Sequence, residues 1–325
     1  MTPSLHDVIR TRLADARRVL ILTHVRPDGD AIGSMLGLGL ALQAAGKETH
    51  MVLPDGMLSS FRHLPGSDQV RRKPEGDYDT FITVDCAEKK RIGDGFDGLG
   101  RPHINIDHHK TNDNFGEINL VVWDQVATCA ILAESMPHWG LAITPPVAAN
   151  LLTGIITDTL GFRTSNMTPK ALRLAADLME TGVDLPDLYM RGLVRRSFNA
   201  ARYWGAGLSS LQRADGMVWA VLTLADRKTA GYNGNDDADL INIISAIDGE
   251  QVALIFVEQT GGRVKISWRA LVPGVDVSQI AQTFNGGGHA AAAGAEVTGT
   301  LDDVRQRVLD ATRAQLAALA LTTNS

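Results

Sequence analysis

Histidine and aspartate recur in this chain wherever a short apolar run stops. His24-Val25-Arg26-Pro27-Asp28-Gly29-Asp30 follows Val19-Leu20-Ile21-Leu22, and Asp85 follows Phe81-Ile82-Thr83-Val84. Asp107-His108-His109 closes the run at 102–106, and Asp158 follows Gly154-Ile155-Ile156-Thr157. Taken singly, each is ordinary. An aspartate after a strand is most often a helix cap or turn residue, and a lone histidine is most often hydrogen-bonded structure. Taken together, they are the donor set of a metal centre. Mixed imidazole and carboxylate ligation suits Mn²⁺, with Zn²⁺, Co²⁺ and Fe²⁺ as other candidates. His24 and Asp28 could face one ion and Asp30 a second. Asp85 could bridge both, and His108 with Asp158 would complete the second site. Two ions roughly 3.5–4 Å apart can activate water and stabilise the oxygens of an in-line displacement. His103, His63 and His6 lack such context and read as structural or surface residues.

Some scaffold must carry these groups to one place, and open α/β sheets place ligands beyond the carboxyl ends of their strands. Apolar runs predict strands at 19–23, 49–53, 80–84 and 103–106. A helix is expected over 5–17, capped near Ser4, and another over 31–45, capped by Asp30 and ending at Gly46. Helical patterns then dominate at 127–137, 145–158, 168–181 and 186–204. The alternation predicts an α/β fold with a mostly parallel sheet flanked by helices on both faces. Beyond about residue 205 the pattern turns β-rich, with strands at 218–224, 252–257 and 264–269 and a short one near 295–297. Helices are expected at 275–284 and 301–320. This predicts a metal-binding catalytic domain over 1–185, a connecting helix over 186–205, and a smaller α+β domain over 206–325.

Composition sets outer bounds. Over 325 residues, 44% are hydrophobic and 21% charged, as in soluble globular proteins. The net charge of 31 − 37 = −6 argues against electrostatic binding to long nucleic acid, stable binding to long duplex included. A small anionic substrate remains compatible with a pocket that is locally basic or metal-loaded. Cys86 and Cys129, the only cysteines, make no disulfide framework, so a reducing cytoplasm is expected. No apolar signal core and no run long enough to span a bilayer is seen.

His24-Val25-Arg26-Pro27-Asp28-Gly29-Asp30-Ala31-Ile32-Gly33-Ser34, then Asp85, then Asp107-His108-His109, then Thr157-Asp158-Thr159 resembles the four-motif signature of the DHH phosphoesterases. Members of that family hydrolyse phosphoester or phosphoanhydride bonds with two divalent metals, typically manganese. By position, the resemblance implies His24, Asp28, Asp30, Asp85, His108 and Asp158 as metal ligands. Asp107 is then expected to orient a histidine from behind, and His109 to bind the scissile phosphate and assist proton transfer.

A second cluster lies near the C-terminus. In Asn285-Gly286-Gly287-Gly288-His289, glycines let backbone amides approach an anion, and His289 adds a donor. Arg269 ends an alternating strand and could grip a phosphate with both arms of its guanidinium. A glycine-rich turn alone more often means a tight turn before a packing face of small residues. Yet Ile266-Ser267-Trp268-Arg269, Asp276-Val277, Gly286-Gly287-Gly288-His289 and Ala292-Ala293-Gly294 resemble the DHH-associated C-terminal domain of the first subtype. That domain binds the non-reacting end of nucleotide substrates. Ala270 departs from relatives, where serine is common after the arginine. Arg163, soon after the fourth motif, is a candidate phosphate partner or an ordinary helix-end charge.

The arrangement resembles the compact nanoRNase and pAp phosphatase members of the family. The activity so implied is cleavage of short oligonucleotides to mononucleotides and dephosphorylation of 3′-phosphoadenosine 5′-phosphate (pAp) to AMP. Two substrate-binding regions select short substrates, and a homodimer is compatible with the resemblance. Linear or cyclic dinucleotides are an alternative substrate class. A catalytically silent nucleotide sensor is a reading of another kind, disfavoured because such sensors are expected to lose metal ligands.

Overall fold

The computed structural model describes residues 3–93 and 96–323, which divide into two compact units, 1–195 and 196–325. The first unit opens with α1 (Leu5–Asp15), closed at its start by a reciprocal pair in which Ser4 and Asp7 satisfy each other's backbone amides. Then come β1 (Arg18–Leu22), α2 (Gly29–Ala44), β2 (Glu48–Val52), β3 (Thr80–Val84), β4 (Ile104–Asp107) and β5 (Ile118–Val121). Helices α3 (Thr128–Ser135), α4 (Pro145–Asp158), α5 (Pro169–Glu180) and α6 (Leu185–Tyr189) follow.

The five strands are all parallel, in the order β2-β1-β3-β4-β5. The chain leaves β1 for β2 on one side and returns to β3 on the other. The carboxyl ends of β1 and β3 therefore flank the point where strand order reverses, the usual ligand crevice of such sheets. Val19, Ile21, Ile82, Val84, Ile104 and Ile106 face the helices, while Leu20, Leu22 and Phe81 pack on the opposite face. Ile92 and Phe96, from the loop after β3, cover that second face, so its cover is loop and short helical turns where longer helices were expected.

Helix α2 is buried nearly all round, and glycine makes this feasible. A Cβ at Gly33 would lie 2.5 Å from the Asn150 carbonyl oxygen, and one at Gly29 would lie 2.2 Å from Thr157 Oγ1. Gly37 meets Leu151 in the same way. Gly29 meets Thr157 at the end of α4, while Gly33 and Gly37 meet Asn150 and Leu151 further back along it, so the helices run antiparallel along a small-residue seam. This seam brings the end of α4 to the start of α2.

The second unit holds α7 (Phe198–Ser209), β6 (Gln212–Ala214), β7 (Met217–Leu222), α8 (Leu224–Ala230) and α9 (Leu240–Ile244). It continues with β8 (Val252–Gln259), β9 (Arg263–Ala270), α10 (Val277–Gln282), β10 (Gly287–His289), β11 (Ala292–Thr298) and α11 (Leu301–Thr323). Its six strands form a mixed sheet, β10-β11-β9-β8-β7-β6, in which only β7 and β8 pair in parallel. One face packs on α10 and α11 through Ile266, Trp268 and Val304; the other packs through Tyr203, Ala220 and Ile241.

Further expectations need correction. Asp28 caps α2, accepting from the Asp30 and Ala31 amides; Asp30 lies two residues on, within the first turn, and its carboxylate is used elsewhere. β5 was not anticipated. The stretch 186–204 is not one helix: α6 passes into a single π turn at Met190–Val194, Arg195 is extended, and Ser197 starts α7 by accepting from the Ala200 amide. Finally, Gly287–His289 is a strand paired with Ala292–Gly294 rather than a bare turn.

Candidate metal centre

Each strand end delivers its group by a local device. After β1, His24 is buried at 3% exposure, with Nδ1 2.9 Å from the Val25 carbonyl oxygen and Nε2 3.5 Å from Asp85 Oδ2. The Arg91 guanidinium also lies 3.1 Å from His24 Nδ1. After β3, Asp85 takes the left-handed backbone conformation, φ +52°, rare for a non-glycine residue. Its carboxylate is almost fully buried and accepts from the Thr128 hydroxyl at 3.0 Å. Asp30 accepts two backbone amides at the start of α3, from Thr128 at 2.6 Å and Cys129 at 2.9 Å. Those amides point along the positive end of a helix and suit an anion.

The histidines after β4 complete the cluster. His108 Nε2 lies 3.6 Å from Asp158, 3.7 Å from Asp85 and 4.0 Å from Asp30, while its Nδ1 is 3.4 Å from the Gln125 carbonyl oxygen. His109 Nδ1 is 2.7 Å from Asp107 Oδ1 and 3.7 Å from Asp85. Asp107 is fully buried and receives Asn112 Nδ2 at 2.6 Å on its other oxygen. Three ligand groups gather within 4.8 Å: His24, Asp28 and Asp85; Asp30, His108 and Asp158; and Asp85, His108 and His109.

The electrostatics of this cluster call for positive charge. Burial pushes the Asp30 carboxyl well above the usual carboxylate range, and Asp85 and Asp158 push it further. Burial does the same to Asp158, reinforced by Asp28 and Asp85. Asp85 goes the other way: burial opposes its charge, but the His24 hydrogen bond and the three neighbouring imidazoles outweigh it. Burial also works against a charged His109, yet Asp107 and Asp85 lift it to about 9. Acids crowded in a low-dielectric pocket repel one another unless cations sit among them. Oxygen and imidazole donors converging on such a pocket therefore fit divalent metal.

The remaining expected residues are placed less centrally. Arg163 is exposed, and its Nε donates to the Leu160 carbonyl within its own turn at 2.9 Å. Among the described residues, no ion pair joins Arg163 to the acidic cluster. In the second unit, His289 pairs with Ala292, which pairs with Arg269 across the next strand. Directly opposed residues share a face, so Arg269 and His289 stand on the same side with a small alanine between them, roughly 10 Å apart by strand spacing. Burial lowers the Arg269 guanidinium, while Asp237 and Asp239 favour its charge. Gly286 and Gly288 are required by the hairpin itself: a Cβ at either would meet backbone oxygen at 2.3 and 2.5 Å, and Gly288 sits at φ +141°. Gly287 has open space where a side chain would go. Thr128, Arg91 and Asn112 were missed: the partners of the first two lie 43 and 67 residues away, and Asn112 reaches Asp107 from a turn with no marking pattern.

Comparison with known proteins gives the same picture. Residues 18–155 match the DHH family, N-terminal domain, and residues 217–318 match the DHHA1 domain. A Thermus thermophilus protein named bifunctional oligoribonuclease and PAP phosphatase NrnA is 39% identical over 92% of this chain and 90% of its own length. The chain belongs to the DHH family. Relatives with the same name come from Mycoplasma genitalium, 29% identical over 86% of this chain and 89% of that protein, and from Bacillus subtilis, 25% identical over 86% and 89%. The crystal structure of an exopolyphosphatase-related protein from Bacteroides fragilis superposes with a TM-score of 0.90 at 26% identity, covering 97% of each chain. The histidine–aspartate cluster thus lies within the part of the chain that carries the DHH match, apart from Asp158, three residues beyond its end.

Proposed function

We propose that this chain is a Mn²⁺-dependent phosphohydrolase that cleaves short oligonucleotides to mononucleotides and removes the 3′-phosphate of pAp. The observation that carries the reading is the convergence of His24, Asp28, Asp30, Asp85, His108 and Asp158 on one acidic pocket at the strand-order reversal. The NrnA names of its relatives supply the substrate class. His24, Asp28 and Asp85 would hold one ion, Asp30, His108 and Asp158 the other, with Asp85 shared. Bound there, such ions supply Lewis acidity for phosphorus–oxygen chemistry and lower the pKa of water.

The chain's own residues set the geometry. Asp107 engages His109 Nδ1, which leaves Nε2 to meet a phosphate oxygen or hand a proton to the leaving group. Asn112 and burial hold Asp107 in turn. In the domain reading, 1–185 is catalytic, 186–205 connects, and 206–325 binds substrate. Arg269, Gly286, Gly287, Gly288 and His289 are assigned to substrate there, and Arg163 to a phosphate in the first domain. The two free thiols support a cytoplasmic reading; no helix among the described residues is long and apolar enough to cross a membrane.

The test is product formation by metal-stripped protein resupplied with Mn²⁺. The substrates are pAp, a 5′-phosphorylated dinucleotide, a cyclic dinucleotide, a longer single strand and pyrophosphate. Turnover concentrated on the first two is the expected result. Preference for the cyclic species or the long strand would overturn the substrate assignment; nucleotide binding without turnover would overturn the enzymatic one.

A further inference from the structure

We propose that Trp123 is a stacking platform for a nucleobase of the substrate, set on the same sheet rim as the metal centre; this rests on the oligonucleotide reading above. Trp123 is 64% exposed, the second most exposed large hydrophobic side chain after Phe198 among the described residues. An isolated exposed indole needs a reason only when its surroundings supply one, and here they do. In the parallel sheet Asp107 is opposite Val121, and the Val122 amide donates to the Asp107 carbonyl at 3.0 Å. Trp123 therefore emerges from the carboxyl end of β5 directly beside the loop that carries His108 and His109. The Gln125 carbonyl, two residues on, touches His108 Nδ1 at 3.4 Å, which ties the Trp123 turn to the metal centre.

The cation beside Trp123 favours the same conclusion. Lys110, the residue after His109, holds its ammonium 5.7 Å from the centroid of the Trp123 ring. Lys110 makes no ion pair among the described residues and is exposed. An exposed aromatic ring beside an exposed ammonium is the pairing that single-stranded nucleic acid uses, the base on the ring and the phosphate on the cation. The metal-site histidines stand in the loop after the neighbouring strand β4, so a nucleotide whose phosphate lies at the centre has its base within reach of this rim. Stacking tolerates every base, so the platform gives preference for nucleotides over base-free phosphoesters without selecting sequence.

The experiment is a cycle between the indole and the base. Trp123→Ala and Trp123→Phe are compared with the unaltered protein on a 5′-phosphorylated dinucleotide and on its abasic counterpart, with Mn²⁺ present. Stacking predicts that W123A raises KM for the dinucleotide about 5- to 100-fold with kcat changed far less, and that W123F recovers most of the loss. It also predicts that the W123A penalty shrinks sharply on the abasic substrate. Quenching of tryptophan emission by AMP should lose a component in W123F. Equal penalties on both substrates, an unchanged KM, or a change in oligomeric state with KM intact would each overturn the proposal, the last by making Trp123 a protein contact. If no oligonucleotide is turned over, the functional reading fails; the AMP quenching difference still decides the platform.

Discussion

At the scale of single residues, the centre is a set of acids kept close against their mutual repulsion. Asp85 is the pivot, since it touches His24, His108, His109 and Thr128 from a strained backbone. Asp85→Asn should abolish Mn²⁺-dependent turnover, a larger loss than the ~10–100-fold usual for groups behind the ligands. Calorimetric Mn²⁺ titration should show weakened binding, and retained activity would remove its bridging role. Asn112→Ala should lower kcat by about 10–100-fold while KM moves little, because it frees Asp107 to turn and misdirects His109. An unchanged kcat would mean that burial alone holds Asp107. The thiols are the opposite case. Burial pushes Cys86 up to about 12 and Cys129 upward as well, so little thiolate exists at pH 8. Iodoacetamide should leave both unlabelled in the native protein and label both once urea unfolds it; rapid native labelling would contradict this burial.

At the scale of elements, the α2–α4 seam fixes where Asp158 sits relative to Asp28 and Asp30. Gly33→Ala forces a methyl against the Asn150 carbonyl and should cost about 1–3 kcal/mol in urea unfolding, with a parallel loss of Mn²⁺ affinity. Stability lost with affinity retained would separate the seam from the centre. This level also explains what could be read from sequence. The strands were legible because β1, β3 and β4 are short apolar runs, and the ligands because each ends such a run. The choice between Asp28 and Asp30 as the α2 cap was not legible. Both are good cap residues, and what decides is that the amides of α3, about a hundred residues on, capture Asp30. β5 was hidden because Ile118-Asn119-Leu120-Val121 is four residues long with no clear period. The break after residue 194 carried a signal that was passed over: Ser197 is a good cap residue inside the expected helix. Arg163 drew attention by chain proximity to Asp158; its Nε donates within its own turn to the Leu160 carbonyl, a local bond that the sequence does not reveal.

At the scale of the whole molecule, the metal ligands and the glycine-turn substrate residues are assigned to different units. Every proposed metal ligand falls within residues 1–195. Mn²⁺ should therefore slow amide hydrogen exchange in α2, α3 and α4 and leave the sheet of the second unit little changed. Protection confined to the second unit would contradict the assignment. Gly287→Val is the complementary probe, since the position has room for a side chain. It should leave the melting temperature within about 2 °C and raise KM for pAp more than it lowers kcat; an unchanged KM would release the glycine turn from substrate binding.

The order in which the ligands occur along the chain has a further meaning during synthesis. His24, Asp28 and Asp30 leave the ribosome first, Asp85 and His108 follow, and Asp158 comes only after α4 has been made. No shorter nascent chain has the full donor set, and the seam that aligns it needs both α2 and α4. The metal centre thus stays incomplete until α4 has emerged, and an interrupted product that stops before α4 lacks Asp158 and the seam that would place it.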